Sequence, residues 1–563
     1  MPGIKIVVIG GVAAGPKAAA RARRLAPDAE ITILERGNFV SYAACGIPYL
    51  VSGETPDLKD ILSTPVGVVR DAGFFKAVKD IRVLTGKEAV ALDRGKKQVI
   101  VKDRISGYEE IYPYDKLVLA TGASAVKPKI DGIDLKNIFL LRQPPDVIRV
   151  LEALEEKPQT AVIIGAGLIG LEMAEALTMQ GLEVTVVEAL GQILPGLLDW
   201  EMAAMLQRHV KGEGVKIRTA EKVSRCEGGP EGKVARVITD KGAYGADLVI
   251  VAVGVRPEVG LARDAGLELG GTGAIKVDQF MRTSDEDIYA GGDCVENFHR
   301  VLGRAVYVSS GQMANVHGRI IGTNITGGRA VFQGMVGTAV AQVFGYTVGA
   351  TGLTEAAAAS EGHEVVTALA PGLDKAHYYP GAKFMGVKMV ADCPTGRLLG
   401  VQIVGPGDGA KRLDVAATAL TMCATVENLV QLNLGYSPPF STAIDALVQA
   451  AQVVENKMAG VAQGLSPGEV EELTRRGEDF MLLDVRTLQE FREVRLKHPK
   501  AFAMPLGKLR EKAADLPKDK LYIPFCKFSM RGYEAQKILE GLGFKKVKFL
   551  DGGLVHWPYE LEK

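Results

Sequence analysis

Short, unbroken apolar runs that end in glycine alternate with stretches of helical spacing along most of this chain. Ile4 to Ile9 is the first such run. The turn Gly10-Gly11-Val12-Ala13-Ala14-Gly15 follows it, and Pro16 to Leu25 predicts a helix. Ile31 to Leu34 predicts a second strand that closes on Glu35. Continuous rather than alternating apolar strands are those covered on both faces, so the order predicts a parallel βαβ unit. Gly10, Val12, Ala13 and Gly15 are then the turn residues expected at a dinucleotide, with Glu35 about twenty residues on for the ribose hydroxyls. Val12 stands where G-x-G-x-x-G has its middle glycine.

The pattern returns more cleanly further on. Ala161 to Ile164 predicts a strand, Gly165, Gly167 and Gly170 complete G-x-G-x-x-G, and Val184 to Val187 ends at Glu188. The helix from Leu168 carries the polar pair Glu172 and Glu175. Two units imply two dinucleotides. The Glu188 carboxylate accepts hydrogen bonds from a free 2′-hydroxyl and repels a 2′-phosphate, which favours NADH over NADPH. LVLATG, Leu117 to Gly122, predicts a buried strand and a tight turn at Thr121 and Gly122. IYAGGDC, Ile288 to Cys294, places Asp293 to reach a ribityl or pyrophosphate group. Between the units and this motif lie strand-like runs Val215–Arg218, Val234–Thr239 and Leu248–Val253, the last followed by Gly254. The second unit, 143–270, thus reads as inserted into the first, 1–142 and 271–330.

From 331 to 458 the character changes. Runs Gly386–Val390 and Leu398–Val404 predict strands ahead of apolar helices Lys411–Cys423 and Thr442–Asn456, a surface that can be buried against a second subunit. Residues 459–466 read as a linker. The last stretch, 467–563, starts over. Helices Pro467–Arg476 and Arg531–Gly541 alternate with strands Met481–Asp484, Leu521–Ile523 and Val547–Leu550, predicting a small α/β domain with a parallel sheet. The expected fold class is α/β, with two Rossmann-like domains, an α+β dimerisation domain and this C-terminal α/β domain.

Composition narrows the function. With 563 residues, 47% hydrophobic content and a net charge of +0, the chain has no long basic run, so no nucleic-acid partner is expected. No stretch of 18 apolar residues suggests a membrane span, and MPGIKIVVIGG enters a strand directly rather than as a signal peptide. The six cysteines show neither C-x-x-C nor metal-site spacing, which points to free thiols, no bound metal and a cytoplasmic setting. Cys45 sits in SYAACGIPYL, just ahead of Gly46-Ile47-Pro48, a sequence able to start a helix. Free N–H groups there can lower a thiol's pKa, although a lone cysteine is also often a small buried hydrophobe. Cys526 likewise follows a strand and precedes a helix, in a loop ending at Arg531. Loop N–H groups and a guanidinium would cradle an anion; the alternative is a partly buried cysteine near a surface arginine.

Residues 1 to about 458 resemble the single-cysteine branch of the FAD- and NAD(P)-dependent disulfide reductases, which includes the coenzyme A disulfide reductases, NADH oxidases and peroxidases. Ala43, Cys45, Gly46, Ile47, Pro48 and Tyr49 match the signature A-x-x-C-G-[LI]-P-Y, and Ser41 matches its serine. Ala44 departs from the asparagine usual in coenzyme A reductases, which weighs against coenzyme A disulfide itself as substrate. The resemblance implies FAD, NADH and coenzyme A as cofactors or carrier, and a homodimer in which a tyrosine pair from the partner reaches the bound sulfur. Tyr379 (or Tyr378, one register away) and Tyr436 match those positions. Arg24 is a candidate contact for the phosphates of a coenzyme A adduct, though it also reads as solvated charge.

Residues 467 to 563 resemble a rhodanese domain through Asp484-Val485-Arg486, the cysteine loop, Asp551-Gly552-Gly553 and Trp557. The loop departs from C-x-x-G-x-R by placing Ser529 in the glycine slot. The joined modules imply NADH-dependent reduction of persulfide or polysulfide, with Cys45 taking sulfane sulfur and Cys526 and Arg531 capturing or relaying it. Coenzyme A disulfide reduction ranks second, and peroxide reduction through a sulfenic acid at Cys45 third. A flavoprotein sensor that passes sulfur to a partner is the non-enzymatic alternative.

Overall fold

The computed structural model describes residues 3–562. Contacts divide the chain into two units, Met1–Ala189 with Glu221–Met335, and Leu190–Ala220 with Val336–Lys563.

The first unit holds two parallel sheets. One runs in the order Ile288–Ala290, Lys116–Leu119, Lys5–Ile9, Glu30–Glu35, Arg82–Thr85, every pair parallel. Val8, Ile33, Leu117, Val118 and Leu119 are inaccessible at its centre, which is why those segments read as unbroken apolar runs. Ile288–Ala290 returns to this sheet after the second has formed. In the second sheet Thr160–Ile164 lies between Glu183–Val187 and Leu248–Val251, and Ile138–Leu140 pairs outside the latter.

A helix that sequence reading did not anticipate, Gly311–Asn324, starts on Ser310, whose hydroxyl accepts from Met313 N. Its low-propensity glycines hide it. They are needed because the helix packs against Ala14–Leu25 so closely that a Cβ on Gly318 would lie 2.5 Å from Ala14 O.

In the second unit an antiparallel sheet runs Ala339–Val343, Tyr346–Gly352, Leu398–Gly405, Phe384–Asp392, Val365–Leu373. Helices Ala410–Thr421 and Ala446–Met458 pack on it. The latter starts four residues later than the apolar pattern predicts. Asp445 is its cap, accepting from Leu447 N, and the same carboxylate binds Arg412 and Ser441. Beyond it, Ala501–Ala503, Phe480–Asp484, Leu521–Phe525 and Lys546–Val547 form a parallel sheet in that order.

The stretch read as a linker ends in structure rather than as a free tether. Gly464–Leu465 pairs in parallel with Phe549–Leu550, and Ser466 caps helix Pro467–Arg475 in a capping box with Glu469. Among the described residues no helix is long and apolar enough to cross a membrane, and no three His, Cys, Asp or Glu side chains form a metal-holding group.

Candidate active site

Every candidate residue of the first dinucleotide unit lies where its strands end. At Gly10 φ is +107° and a Cβ would sit 2.1 Å from Ala120 O; at Gly15 it would sit 2.0 Å from Gly10 O. The turn can therefore be built only without those side chains. Glu35 fixes its far side, accepting from Gly11 N and Gly37 N at 2.7 Å each, and Ser41 N donates to Gly11 O at 2.8 Å. Ser41 holds φ +51°. Val12 precedes Ala13, the N-cap of helix Ala14–Leu25. Ala13 offers no side-chain cap, so the first-turn N–H groups are left for an anionic ligand.

The second unit repeats this logic. Gly167 caps helix Leu168–Met179 without a side chain, Gly165 holds φ +105° over Ala252 O, and Glu188 accepts from Ala166 N at 2.8 Å. Gly170 packs onto Gly165 O, and Gly254 holds φ +105°. Glu35 accepts one bond on each oxygen from its own turn, and a carboxylate oxygen can accept a second, here from a ribose.

Asp293 accepts from Arg142 and Ser309 at 2.5 Å and from Ser310 N at 3.0 Å. Arg142 and Ser309 were missed, because Arg142 is 151 residues away and in no motif. Thr121 donates to Glu258 O at 2.6 Å, and Gly122 turns the chain at φ +74°. Beside the Gly-Gly-Asp turn, wholly buried His317 accepts from Gly292 N, and burial lowers its pKa to about 4. Its Nε2 has no partner among the described residues. The uncapped helix start, the turn that admits no Cβ at Gly10 or Gly15, the ribose carboxylate and this orphaned polar atom fit FAD at the first unit. The intact glycine turn and Glu188 fit a nicotinamide dinucleotide at the second.

Cys45 lies exposed in the 3₁₀ turn Ala44–Gly46, which runs into helix Ile47–Ser52 with Pro48 in its first turn. Buried Ile47, Pro48 and Leu50 anchor that helix, and it packs on Leu168–Met179, the helix of the second dinucleotide turn. The contact brings Tyr49 near Glu172 and Glu175. Burial, then Glu172, pushes the Tyr49 hydroxyl up. Burial, then Glu175, raises Glu172 from 4.5 to about 7. Folding thus favours protonated Glu172, a stabilisation whole below pH 4.5 and lost as pH rises through about 7. In chemical melts at pH 5 and pH 8, Glu172→Gln should gain stability over the parent with rising pH, by on the order of 3 kcal/mol. A pH-independent difference would remove Glu172 as a titrating group.

Arg24 is exposed near the end of the first helix, where Arg21 donates to Thr323 and Arg23 to Pro27 O. In the second unit Tyr378, Tyr379 and Tyr436 are exposed. The Tyr436 hydroxyl, more than burial, pushes the Tyr378 hydroxyl up.

Of the two readings of the C-terminal cysteine loop, burial agrees with the second: Cys526 is 2% accessible and belongs to a core with Leu483, Val485 and Tyr522. Arg531 grips Glu490 through both terminal nitrogens, at 2.9 and 2.7 Å. The Arg531 hydrogen bond, ahead of the Thr487 bonds, holds Glu490 down at about 2. The guanidinium therefore enters the loop already paired.

Ser529, in the glycine slot, is held at φ +75°, ψ −39° at the cap of helix Met530–Gly541. That conformation strains any residue but glycine. Ser529→Gly should stabilise the C-terminal domain by about 1 kcal/mol, seen as a higher midpoint in denaturant. A lower midpoint would show that the serine's 3.4 Å bond to Leu550 O outweighs the strain.

A glycine turn at each of two dinucleotide units, with a lone thiol leading into a helix that packs on the helix of the second, defines a redox protein that works with two dinucleotides. The chain belongs to the pyridine nucleotide-disulphide oxidoreductase family, matched over residues 4–317. The family's dimerisation domain matches 338–448, and a rhodanese-like domain matches 466–559. The family uses FAD and NAD(P)H.

The chain is similar to an NAD(P)H coenzyme A polysulfide/persulfide reductase of Pyrococcus horikoshii, 39% identical over 80% of this chain and 98% of that protein. It is 29% identical to the coenzyme A disulfide reductase of Staphylococcus haemolyticus, over 78% of this chain and 96% of that one. Among solved structures, an NAD-dependent persulfide reductase from A. fulgidus is 41% identical with a TM-score of 0.94, covering 98% of this chain and 100% of its own. Reduced CoADR-RHD of Bacillus anthracis is 34% identical with a TM-score of 0.91, covering 99% and 98%.

Proposed function

We propose that this protein is an FAD-dependent NADH:persulfide/polysulfide reductase that acts as a cytoplasmic homodimer. The observation that carries the reading is the union, in one chain, of a lone thiol on a family redox turn with a rhodanese-like domain bearing its own thiol. The match over nearly the whole chain to a persulfide reductase supports it.

In this reading the Cys45 thiolate attacks the outer sulfur of coenzyme A persulfide. A bond forms between Cys45 and that sulfur, the inner S–S bond breaks, and coenzyme A leaves as its thiolate. FAD, when bound, supplies the electron pair, drawn from NADH, that splits the Cys45 persulfide into thiolate and hydrogen sulfide. The overall change is persulfide plus NADH plus a proton giving thiol, hydrogen sulfide and NAD⁺. Gly10, Val12, Ala13, Gly15, Glu35, Ser41, Thr121, Gly122 and Asp293 would hold FAD, and Gly165, Gly167, Gly170, Glu188 and Gly254 would hold NADH. Tyr436, with Tyr378 or Tyr379, would donate to the sulfur group from the partner, and Arg24 would meet a phosphate. Cys526 with Arg531 would capture or relay sulfane sulfur. Unpaired cysteines throughout the described residues support a reducing compartment.

Anaerobic NADH consumption should be fastest with coenzyme A persulfide or polysulfide, slower with coenzyme A disulfide and slowest with peroxide. Peroxide as the best substrate would overturn the reading, and coenzyme A disulfide as the best would favour the disulfide reductase. A fully active monomer in light scattering would overturn the dimer.

A further inference from the structure

The segment Asp551–Trp557 touches the Cys526 loop on one side and elements outside the rhodanese-like domain on the other. Asp551 is 2% exposed. Its Oδ2 accepts from Lys457 Nζ at 2.5 Å, at the end of helix Ala446–Met458, and from Leu369 N at 3.2 Å, on strand Val365–Leu373. Lys457 also donates to Thr367 O at 2.7 Å, so the ammonium is fixed from two sides. At the far end, buried His556 lies against Gly386, where a Cβ would sit 2.4 Å from its Nε2, and Arg208 donates to Trp557 O.

Between these anchors the chain turns through Gly552 at φ +74° and Gly553 at φ +57°. Leu554 N then donates to Cys526 O at 3.0 Å and Val555 N to Lys527 O at 3.3 Å. A Cβ on Gly553 would lie 2.5 Å from Cys526 O. The carbonyls of the thiol residue and its successor thus hang from a segment held at both ends by the dimerisation sheet and helices.

We propose that Lys457 and Gly386, outside the rhodanese-like domain, are positioning residues for sulfur transfer at Cys526, acting through Asp551 and His556 on the loop. The inference rests on Cys526 being a sulfur-transfer thiol. With thiosulfate as donor, the Cys526 thiolate attacks the sulfane sulfur, the bond to the sulfite sulfur breaks and sulfite leaves. Cyanide then takes that sulfur as thiocyanate and returns the thiolate. No electrons are gained or lost overall. A buried ion pair that loses one member leaves an uncompensated charge, so the Asp551 end shifts when Lys457 is neutralised. Displacing a reacting group by about 1 Å can cost on the order of a hundredfold in rate.

The test uses the full-length holoprotein with thiosulfate and cyanide. Lys457→Met should lower kcat for thiocyanate formation by about tenfold or more with the thiosulfate KM little changed, and Lys457→Arg should recover most of it. Gly386→Ala, which pushes the other end of the segment, should cause a like loss. NADH-linked turnover with coenzyme A persulfide should stay within about twofold in both single variants.

A folded Lys457→Met protein with unchanged thiocyanate formation overturns the inference, even if its melting temperature falls. Should Lys457→Met not fold, unchanged transfer in Gly386→Ala overturns it instead. Transfer in the parent that survives Cys526→Ser overturns both this inference and the role proposed for Cys526. So does a parent that transfers no sulfur.

Discussion

Cys45→Ser should abolish NADH-linked reduction of every sulfur donor, with kcat falling by roughly a thousandfold or more. The loss has a simple origin. An alkoxide is not available at neutral pH, and serine cannot carry sulfane sulfur in a bond the electron pair can split. Cys45 is exposed, and the apolar anchors of its helix are Ile47, Pro48 and Leu50, so the substitution should leave the fold and flavin content intact. Thiocyanate formation at Cys526 should persist, which separates the two thiols in one preparation. A Cys45→Ser protein that keeps a tenth of its activity would move the chemistry to another group.

Gly10→Ala should cost the protein its flavin. The new Cβ would meet Ala120 O at 2.1 Å, a backbone atom that cannot rotate away, and φ is +107°. Relief requires moving either the Lys5–Ile9 strand end or the turn after Lys116–Leu119, the two segments between which the dinucleotide would lie. The expected cost is about 3 kcal/mol or more in stability, with purified protein lacking visible flavin absorbance. Full flavin content and an unchanged melt would contradict the placement of FAD at this turn.

What could be read in advance follows from burial. The central strands of both parallel sheets are covered on two faces and leave unbroken apolar runs, so Lys5–Ile9, Lys116–Leu119, Thr160–Ile164 and Leu248–Val251 were legible. Ala339–Val343 alternates in burial over five residues, and Val365–Leu373 contains Pro371 and Gly372. Neither carries a strand signal strong enough to stand out.

Site residues divide in the same way. Glycine turns and their carboxylates have fixed local spacing. Arg142 meets Asp293, and Lys457 meets Asp551, only because the chain folds back on itself. No local pattern announces such pairs. Ser529 was visible as a departure from the glycine slot, and its positive φ supplies the physical reason glycine is usual there. The burial of Cys526 had no sequence signal, since a cysteine after a strand can face either core or solvent.

The most direct measurement is the yield of hydrogen sulfide per NADH, taken anaerobically with coenzyme A persulfide as the sole acceptor. If Cys45 strips the outer sulfur and NADH electrons release it, one sulfide and one coenzyme A thiol appear for each NADH consumed, and Cys45→Ser gives neither. NADH consumed without sulfide, or sulfide released at full rate without Cys45, would contradict the assignment.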